Sequence, residues 1–458
     1  MTRSIQRAAL ALAVLIPGVA EAHGLWGHIH VTGWAVENMP DDELRQFLLE
    51  PEVFNALLFG AVFTDTGYAI DDPAARAYSE HTHWEPFIED YVEWMRVNDP
   101  PPWDTLESRK RVAFLLGCAS HGLQDSIFDS LFLHQVEERD GAGQDETDPG
   151  TDGFLALDDY IRFIPEEDIP MSTVLALYEE LGEDVTQEVI EEAVKAVTTV
   201  YINDSIGVAV AETLGDLYAD DMPWGREHYM DPDVPGSLRA EIYPTMRYQQ
   251  ALWSRLNGDF SADDVTVFAF PESERRLRSG DVGTTDSWVT LIFGAGVAYE
   301  GDLTELLDAG GAPVAFTQAN SRWGPGHTRL IRLQPDEELI PGDWYTARLR
   351  AGAALIDGQA TTETVEVSFQ VACADEDDPD CPVLEPLVAS VDGIPEEPVG
   401  DTGEDTGGEG GKASGCGCAA VPPTAAAGGA AGAWLLLLGW FGVRRREKGR
   451  VQLHTKPV

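Results

Sequence analysis

The chain has 458 residues, 43% of them hydrophobic, with 12 Trp and a formal net charge of −50. That length gives room for about two to three domains of roughly 100–200 residues with ample core. The charge argues against a nucleic-acid partner, which needs Lys/Arg patches, and it repels anionic membrane surfaces; a compact metal site can still take a single phosphate, because the ion dominates the local field.

In chain order, residues 1–22 read as a secretory signal: Arg3 and Arg7, an apolar run from Ala8 to Ile16, and Ala20-Glu21-Ala22 as a cleavage site. Cleavage there leaves His23 as the mature N-terminus. Residues 23–258 are helical in pattern. Asp41-Asp42-Glu43-Leu44 has N-cap chemistry, and Ile88 to Met95, Val189 to Tyr201 and Tyr243 to Leu256 space apolar residues at helical intervals. The acidic, Gly-rich stretch from Asp140 to Gly153 is expected to be a solvated loop, close enough to the His-rich region to stay a candidate cation loop.

Near Ser261 the period changes to two. Val265-Val267-Ala269, Trp288-Thr290-Ile292, Leu330-Arg332-Gln334, Trp344-Thr346-Arg348 and Val365-Val367-Phe369-Val371 alternate as strands between Gly, Pro and Asp. Seven or so short strands predict a β-sandwich over 262–374, which resembles the immunoglobulin-like domains of secreted bacterial proteins. Cys373 and Cys381 flank an acidic loop and are expected to form a local disulfide, which export permits. Cys118, in the apolar run Phe114-Leu115-Leu116-Gly117, reads as a buried core thiol.

Residues 375–415 are acidic and rich in Gly and Pro, the composition of a disordered stalk. Cys416-Gly417-Cys418 follows, then an apolar segment over 425–443 and Arg444-Arg445-Arg446. That segment is just long enough to span a bilayer, with a positive-inside flank. The arrangement over 416–446 is similar to the Myxo-CTERM sorting tail, which implies processing and lipidation at Cys416 or Cys418 and attachment at the cell surface or outer membrane. A plain C-terminal membrane helix is the alternative.

The chemistry concentrates upstream. Of ten His, seven (His23, His28, His30, His81, His83, His121 and His134) fall in the first third. Imidazole and carboxylate together are what a zinc site requires. On a helix His121 and Asp125 share a face, with Asp129 a turn further and about 80° round. His134 points roughly opposite on a continuous helix and joins the site only if the helix breaks. His30 competes with His28, and His81 beside His83 reads as a flanking or surface group. His228 and His327 lie in polar, loop-like sequence and carry no assignment.

Gly60-Ala61-Val62-Phe63-Thr64-Asp65-Thr66-Gly67-Tyr68, Thr82-His83-Trp84-Glu85-Pro86-Phe87 and Phe114 to Asp125 resemble the zinc-dependent phospholipase C superfamily, most closely the N-terminal domain of glycosylphosphatidylinositol-specific phospholipase D. The resemblance implies a mainly α-helical domain that holds one to three Zn²⁺. It places His28, Asp65, His83, His121 and Asp125 at ligand positions, Asp125 shared between metals and Asp65 also able to accept a proton from the attacking water. The family carries a further His after the position of Asp125; Asp129 stands there, with His134 as a substitute. It then carries a His-x-x-x-Asp/Glu pair, where this chain offers Asp152 and Asp158 without a His. One metal position is therefore expected to be oxygen-rich, differently occupied or lost. His23, as a mature N-terminus, would be a further ligand through its amine and imidazole.

The resulting expectation is an exported, surface-anchored phosphodiester hydrolase of phospholipase C type, using zinc-activated water on a phospholipid. The alternatives are a catalytically silent binding or adhesion protein that keeps the fold and part of the metal site, and a single-strand nuclease, which the acidic surface disfavours.

Overall fold

The structure, a computed structural model, describes residues 24–200, 207–271, 276–277, 289–298, 303–320 and 327–371. The signal segment 1–22, His23, the Cys373–Cys381 pair, the stalk 375–415, Cys416, Cys418 and the apolar segment 425–443 lie outside the described residues. Among the described residues no helix is long and apolar enough to cross a membrane.

Twelve α-helices come first among the described residues. α1 (Leu25–Glu37) is buried at every position through Val36. It is the central helix, and it carries its two His into the interior for that reason. α2 (Glu43–Leu48) starts at Asp42, whose side chain accepts from Arg45 N at 2.9 Å. α3 (Pro51–Phe63) opens with Pro at its first turn and ends just before Asp65. α4 (Pro73–Thr82), capped by Asp72, ends at His83, and α5 (Glu85–Asn98) begins immediately afterwards.

α6 (Leu106–Arg139) is the spine of this region, 34 residues or about 51 Å at 1.5 Å per residue. Its closest crossing is with α3, and it depends on two glycines. A Cβ on Gly117 would lie 2.1 Å from Leu57 O, and one on Gly60 would lie 2.4 Å from Phe114 O. α6 stays helical past His134, so the break that residue needed does not occur.

The stretch 140–153 corrects the loop expectation: α7 (Gln144–Leu157) runs through most of it, with Pro149 inside. Its glycines serve packing. A Cβ on Gly153 would meet Gly215 N at 2.2 Å, so the two backbones touch where α7 crosses α10 (Gly207–Tyr218). A composition chosen for close helix contact is hard to tell from that of a loop. α8 (Met171–Leu181), α9 (Gln187–Val200), α11 (Pro223–His228) and α12 (Ile242–Asn257) complete the helical part.

Two four-stranded sheets follow, in the orders β1-β3-β6-β5 and β2-β8-β7-β4. The strands are β1 (Thr266–Phe270), β2 (Arg276–Leu277), β3 (Val289–Ala298), β4 (Thr304–Asp308), β5 (Phe316–Asn320), β6 (His327–Pro335), β7 (Trp344–Leu349) and β8 (Val365–Val371). Buried side chains of both sheets share one hydrophobic cluster, for example Leu291 and Ile331 with Tyr345 and Phe369. β4 and β5, absent from the alternation read in the sequence, are only partly buried strands and show it weakly.

β3 and β6 are covered on both faces, so Thr328 to Ile331 are buried consecutively instead of alternating. The second cover is α12, which packs on β1 and β3, with α5 also against β3. One apolar cluster therefore runs from Leu57 and Phe114 of the helical part through Leu252 to Val289 and Phe293 of the sheets. Buried polar contacts cross the same seam. Arg255, paired with Glu89 within the helical part, donates to Gly294 O of β3 at 3.1 Å. The change of period near Ser261 is a change of secondary structure over a continuous core.

Candidate metal centre

Four elements deliver side chains to one buried point: α1 (His28), the turn after α3 (Asp65), the end of α4 (His83) and the middle of α6 (His121, Asp125). All five residues are at most 4% exposed. Asp65 is placed by the short 3₁₀ turn Thr66–Ala69, pinned where Gly67 N donates to Ser79 Oγ at 2.7 Å and Thr66 Oγ1 meets Tyr78 Oη at 2.8 Å. A side chain at Gly67 would strike Ala75 O at 2.0 Å.

The imidazoles are oriented from behind. His83 Nδ1 donates to Ser79 O and His121 Nδ1 to Ala61 O, both at 2.6 Å. A carbonyl can only accept, so Nδ1 carries the hydrogen in both rings and Nε2 faces the site. His28 Nδ1 lies 2.8 Å from Gln124 Oε1, and Gln124 Nε2 donates on to Thr32 Oγ1 at 3.0 Å. Gln124, which nothing in the sequence singles out, thus aims His28.

The inward atoms converge. His83 Nε2 and His121 Nε2 are 3.2 Å apart. His83 Nε2 is 3.2 Å from Asp65 Oδ1 and 3.3 Å from Asp125 Oδ2. His121 Nε2 is 3.5 Å and 3.4 Å from the same two oxygens. A tetrahedron with zinc–donor distances of 2.0–2.1 Å has edges of about 3.3 Å. The five separations above are of that length, and acceptor atoms from neutral imidazoles and carboxylates gathered out of water call for a cation, so the residues present fit zinc. Asp125 then offers its other oxygen, Oδ1, to His28 Nε2 at 3.1 Å, and His28, Asp65 and His121 form a second potential ligand group. Stacking of the His28 and His121 rings, centroids 3.5 Å apart, joins the two groups.

Electrostatics in the metal-free protein agree. Burial works against a charged His121, but Asp125 and Asp65 more than offset it and its pKa is pushed up to about 10. Burial likewise opposes ionisation of the two carboxylates, and His121 foremost holds both well below the usual range. Burial, followed by the nearby His121, lowers His28.

The other sequence candidates sit elsewhere. Asp129 is exposed and outside both groups, and His134 is half-buried and outside them as well. Asp152 is buried with its two oxygens taking Trp26 N and Gly27 N at 3.1 and 2.9 Å, so it caps the helix that carries His28. Burial, opposed by those two amides, pushes its pKa up to about 7. Asp158 is committed to Arg226 and to Tyr229 Oη. His30 is a structural residue: Nδ1 donates to Trp26 O and Nε2 accepts from Arg162 N, both at 2.8 Å. His81 pairs with Glu183 at 2.9 Å on the surface, and Cys118 is a buried free thiol whose pKa burial drives far up. Sequence reading missed Glu241, a fully buried carboxyl held well above the usual range by burial and then by Asp125 and Asp129.

A helical protein with a buried His/Asp cluster of metal-ligand spacing is a candidate zinc enzyme. Residues 27–160, which contain the whole cluster, match the family described as zinc dependent phospholipase C. Phosphatidylinositol-glycan-specific phospholipase D of Bos taurus is 34% identical over 118 residues, 24% of this chain and 14% of the relative. The Homo sapiens protein of the same description is 39% identical over 93 residues, 20% of this chain and 11% of the relative. The chain thus matches only 11–14% of the length of these relatives. Among solved structures, CopC from Methylosinus trichosporium OB3b is 21% identical and covers 24% of this chain and 95% of its own. Its TM-score of 0.19 is too low to bear on the fold.

Proposed function

We propose that the protein is a zinc-dependent phosphodiester hydrolase acting on a phospholipid, exported and held at the cell surface through its C-terminal tail. The observation that carries the activity is the set of four donors from His83, His121, Asp65 and Asp125 at 3.2–3.5 Å. Bound there, zinc would supply a Lewis acid for the phosphate oxygens and lower the pKa of coordinated water toward about 7. The chain's own part is to fix both imidazoles through Ser79 O and Ala61 O, to keep both carboxylates ionised, and to present Asp65 to the solvent side, where its carboxylate can take a proton from water.

A lipid substrate is supported by the recess on that side. It has Asp65 and Asp152 among its lining, with Trp26, Val210, Ala211 and Leu214 as apolar wall. An apolar wall beside the candidate centre suits an acyl or glyceride group better than a nucleotide strand, and the net charge of −50 disfavours a long polyanion. A catalytically silent binding protein is the second reading. It is favoured by the commitment of Asp152 to Trp26 and Gly27 amides, which leaves the family's later ligand pair without a counterpart in either group.

The test is metal analysis of the purified full-length protein, with hydrolysis of a chromogenic phosphodiester and of phosphatidylcholine vesicles. Activity lost on chelation and restored by zinc supports the enzyme; stoichiometric zinc without turnover of either substrate supports the silent protein. Ala211→Trp should lower turnover of vesicles more than of the small diester, and equal loss on both would remove the recess from the argument.

A further inference from the structure

Arg329 comes from β6, in the sheet region, yet its side chain ends under the candidate metal centre. It is 1% exposed, among the largest fully buried side chains described. Burying a guanidinium is costly unless it is paired, so its partners show what it is for. Its backbone N donates to Glu85 Oε1 at 2.9 Å and its Nε stands 3.8 Å from the same oxygen. Nη1 donates to Tyr248 Oη at 3.2 Å. Nη2 reaches the main-chain carbonyl of His83 at 3.4 Å.

His83 and Glu85 flank the corner between α4 and α5, so Arg329 grips that corner by main chain and side chain together. Against the same His83 carbonyl lies Gly122, next to His121. A Cβ there would meet His83 O at 2.1 Å and Arg329 Nη2 at 3.1 Å. The His83 backbone is therefore pressed against α6 one residue from His121, and the guanidinium lies beside that contact.

We propose that Arg329 is a positioning residue of the metal centre: by locking the His83–Glu85 corner onto Gly122 it sets the separation of the His83 and His121 ligand atoms, which makes the β region part of the metal site. This rests on the metal reading above. Outer partners that orient ligands typically change metal affinity by about 10–100-fold.

The experiment uses the full chain with zinc affinity measured by chelator competition, and with Co²⁺ in place of zinc so that the visible absorption reports ligand geometry. If the wild-type protein binds neither ion, the metal reading itself has failed. With wild-type binding established, Arg329→Met should weaken zinc by about tenfold or more and alter the cobalt spectrum, while far-UV circular dichroism stays native. Arg329→Lys should recover part of the affinity. Tyr248→Phe removes a partner of Arg329 that does not touch His83 and should leave the spectrum unchanged. A folded Arg329→Met with wild-type zinc affinity and cobalt spectrum overturns the proposal. Should Arg329→Met fail to fold, Glu85→Gln decides on the same two readouts: it keeps the shape and loosens the anchor, and wild-type values there overturn the proposal as well.

Discussion

His83 Nε2 and His121 Nε2 face each other at 3.2 Å, and in their neutral forms neither has a hydrogen to give the other. Both Nδ1 hydrogens are spent on carbonyls. Something positive must sit between these nitrogens and the oxygens of Asp65 and Asp125, and in metal-free protein it is a proton.

This gives a pH signature. The pKa of His121 rises from 6.5 to about 10 on folding, so its contribution is full below 6.5 and is lost as pH climbs toward 10. Asp65 and Asp125 fall below 3.8, so theirs is present above 3.8 and is lost on further acidification. Chelator-treated protein should lose melting temperature as pH climbs from 6.5 toward 10. Zinc-loaded protein should gain on it as pH rises, because zinc needs the deprotonated ligands. Melting curves of both forms from pH 4 to 10 check this, and parallel curves would contradict it.

His30 separates ligand from scaffold. His121→Ala and Asp125→Asn should each strip zinc and cut hydrolysis by more than about a hundredfold. His30→Ala removes contacts to Trp26 O and Arg162 N from a fully buried position and should cost about 2–4 kcal/mol of stability. Zinc per folded molecule should stay the same. Metal analysis on the folded fraction distinguishes them; zinc loss in His30→Ala would make it part of the centre.

In the sequence, spacing alone brings out the i, i+4 pair His121 and Asp125 and the clustering of His in the first third; His28, Asp65 and His83 join them through the family resemblance. The helical periods of α5, α9 and α12 were legible for the usual reason of one buried face. What was not legible had a contrary local signal. α7 looks like a loop because its glycines answer to close packing, Gly153 against the Gly215 backbone and Gly150 against the side chains of Met222 and Tyr218. β6 alternates in sequence, yet Arg329 and Leu330 are both buried, because α12 and the helical core cover the side that would otherwise meet water. Arg329 under the centre could not be foreseen from a strand read as half-exposed.

The α3–α6 crossing should be intolerant of even one methyl group. Gly117→Ala places a carbon 2.1 Å from Leu57 O and 2.8 Å from Ala61 N, with backbone on the other side and no flexible atom to yield. Overpacking of this kind costs about 1–3 kcal/mol. It also displaces Ala61, whose carbonyl aims His121. Denaturant melts should show the loss, and zinc affinity should fall with it. A stable variant with normal zinc binding would mean that the helices can part without moving the site.

The helical part should not stand alone despite the change of period near Ser261. Ending the chain at Gly258 uncovers the faces of α12 and α5 that pack on β1 and β3. It removes Arg329 from Glu85, leaving a carboxylate buried at 3% exposure without its guanidinium. It also takes Gly294 O from Arg255 and Gly296 N from Glu89. Each large apolar side chain uncovered costs roughly 1.5–3 kcal/mol, and several at once exceed a typical margin of about 5–15 kcal/mol. A fragment of residues 24–258 should therefore keep helical far-UV circular dichroism but lose cooperative melting and self-associate, and its zinc should dissociate on dialysis. Sedimentation and calorimetry on the fragment beside the full chain measure this directly. A monomeric fragment that melts cooperatively and retains zinc would show that the sheets merely cover the helical core, and it would count against Arg329 as a positioning residue too.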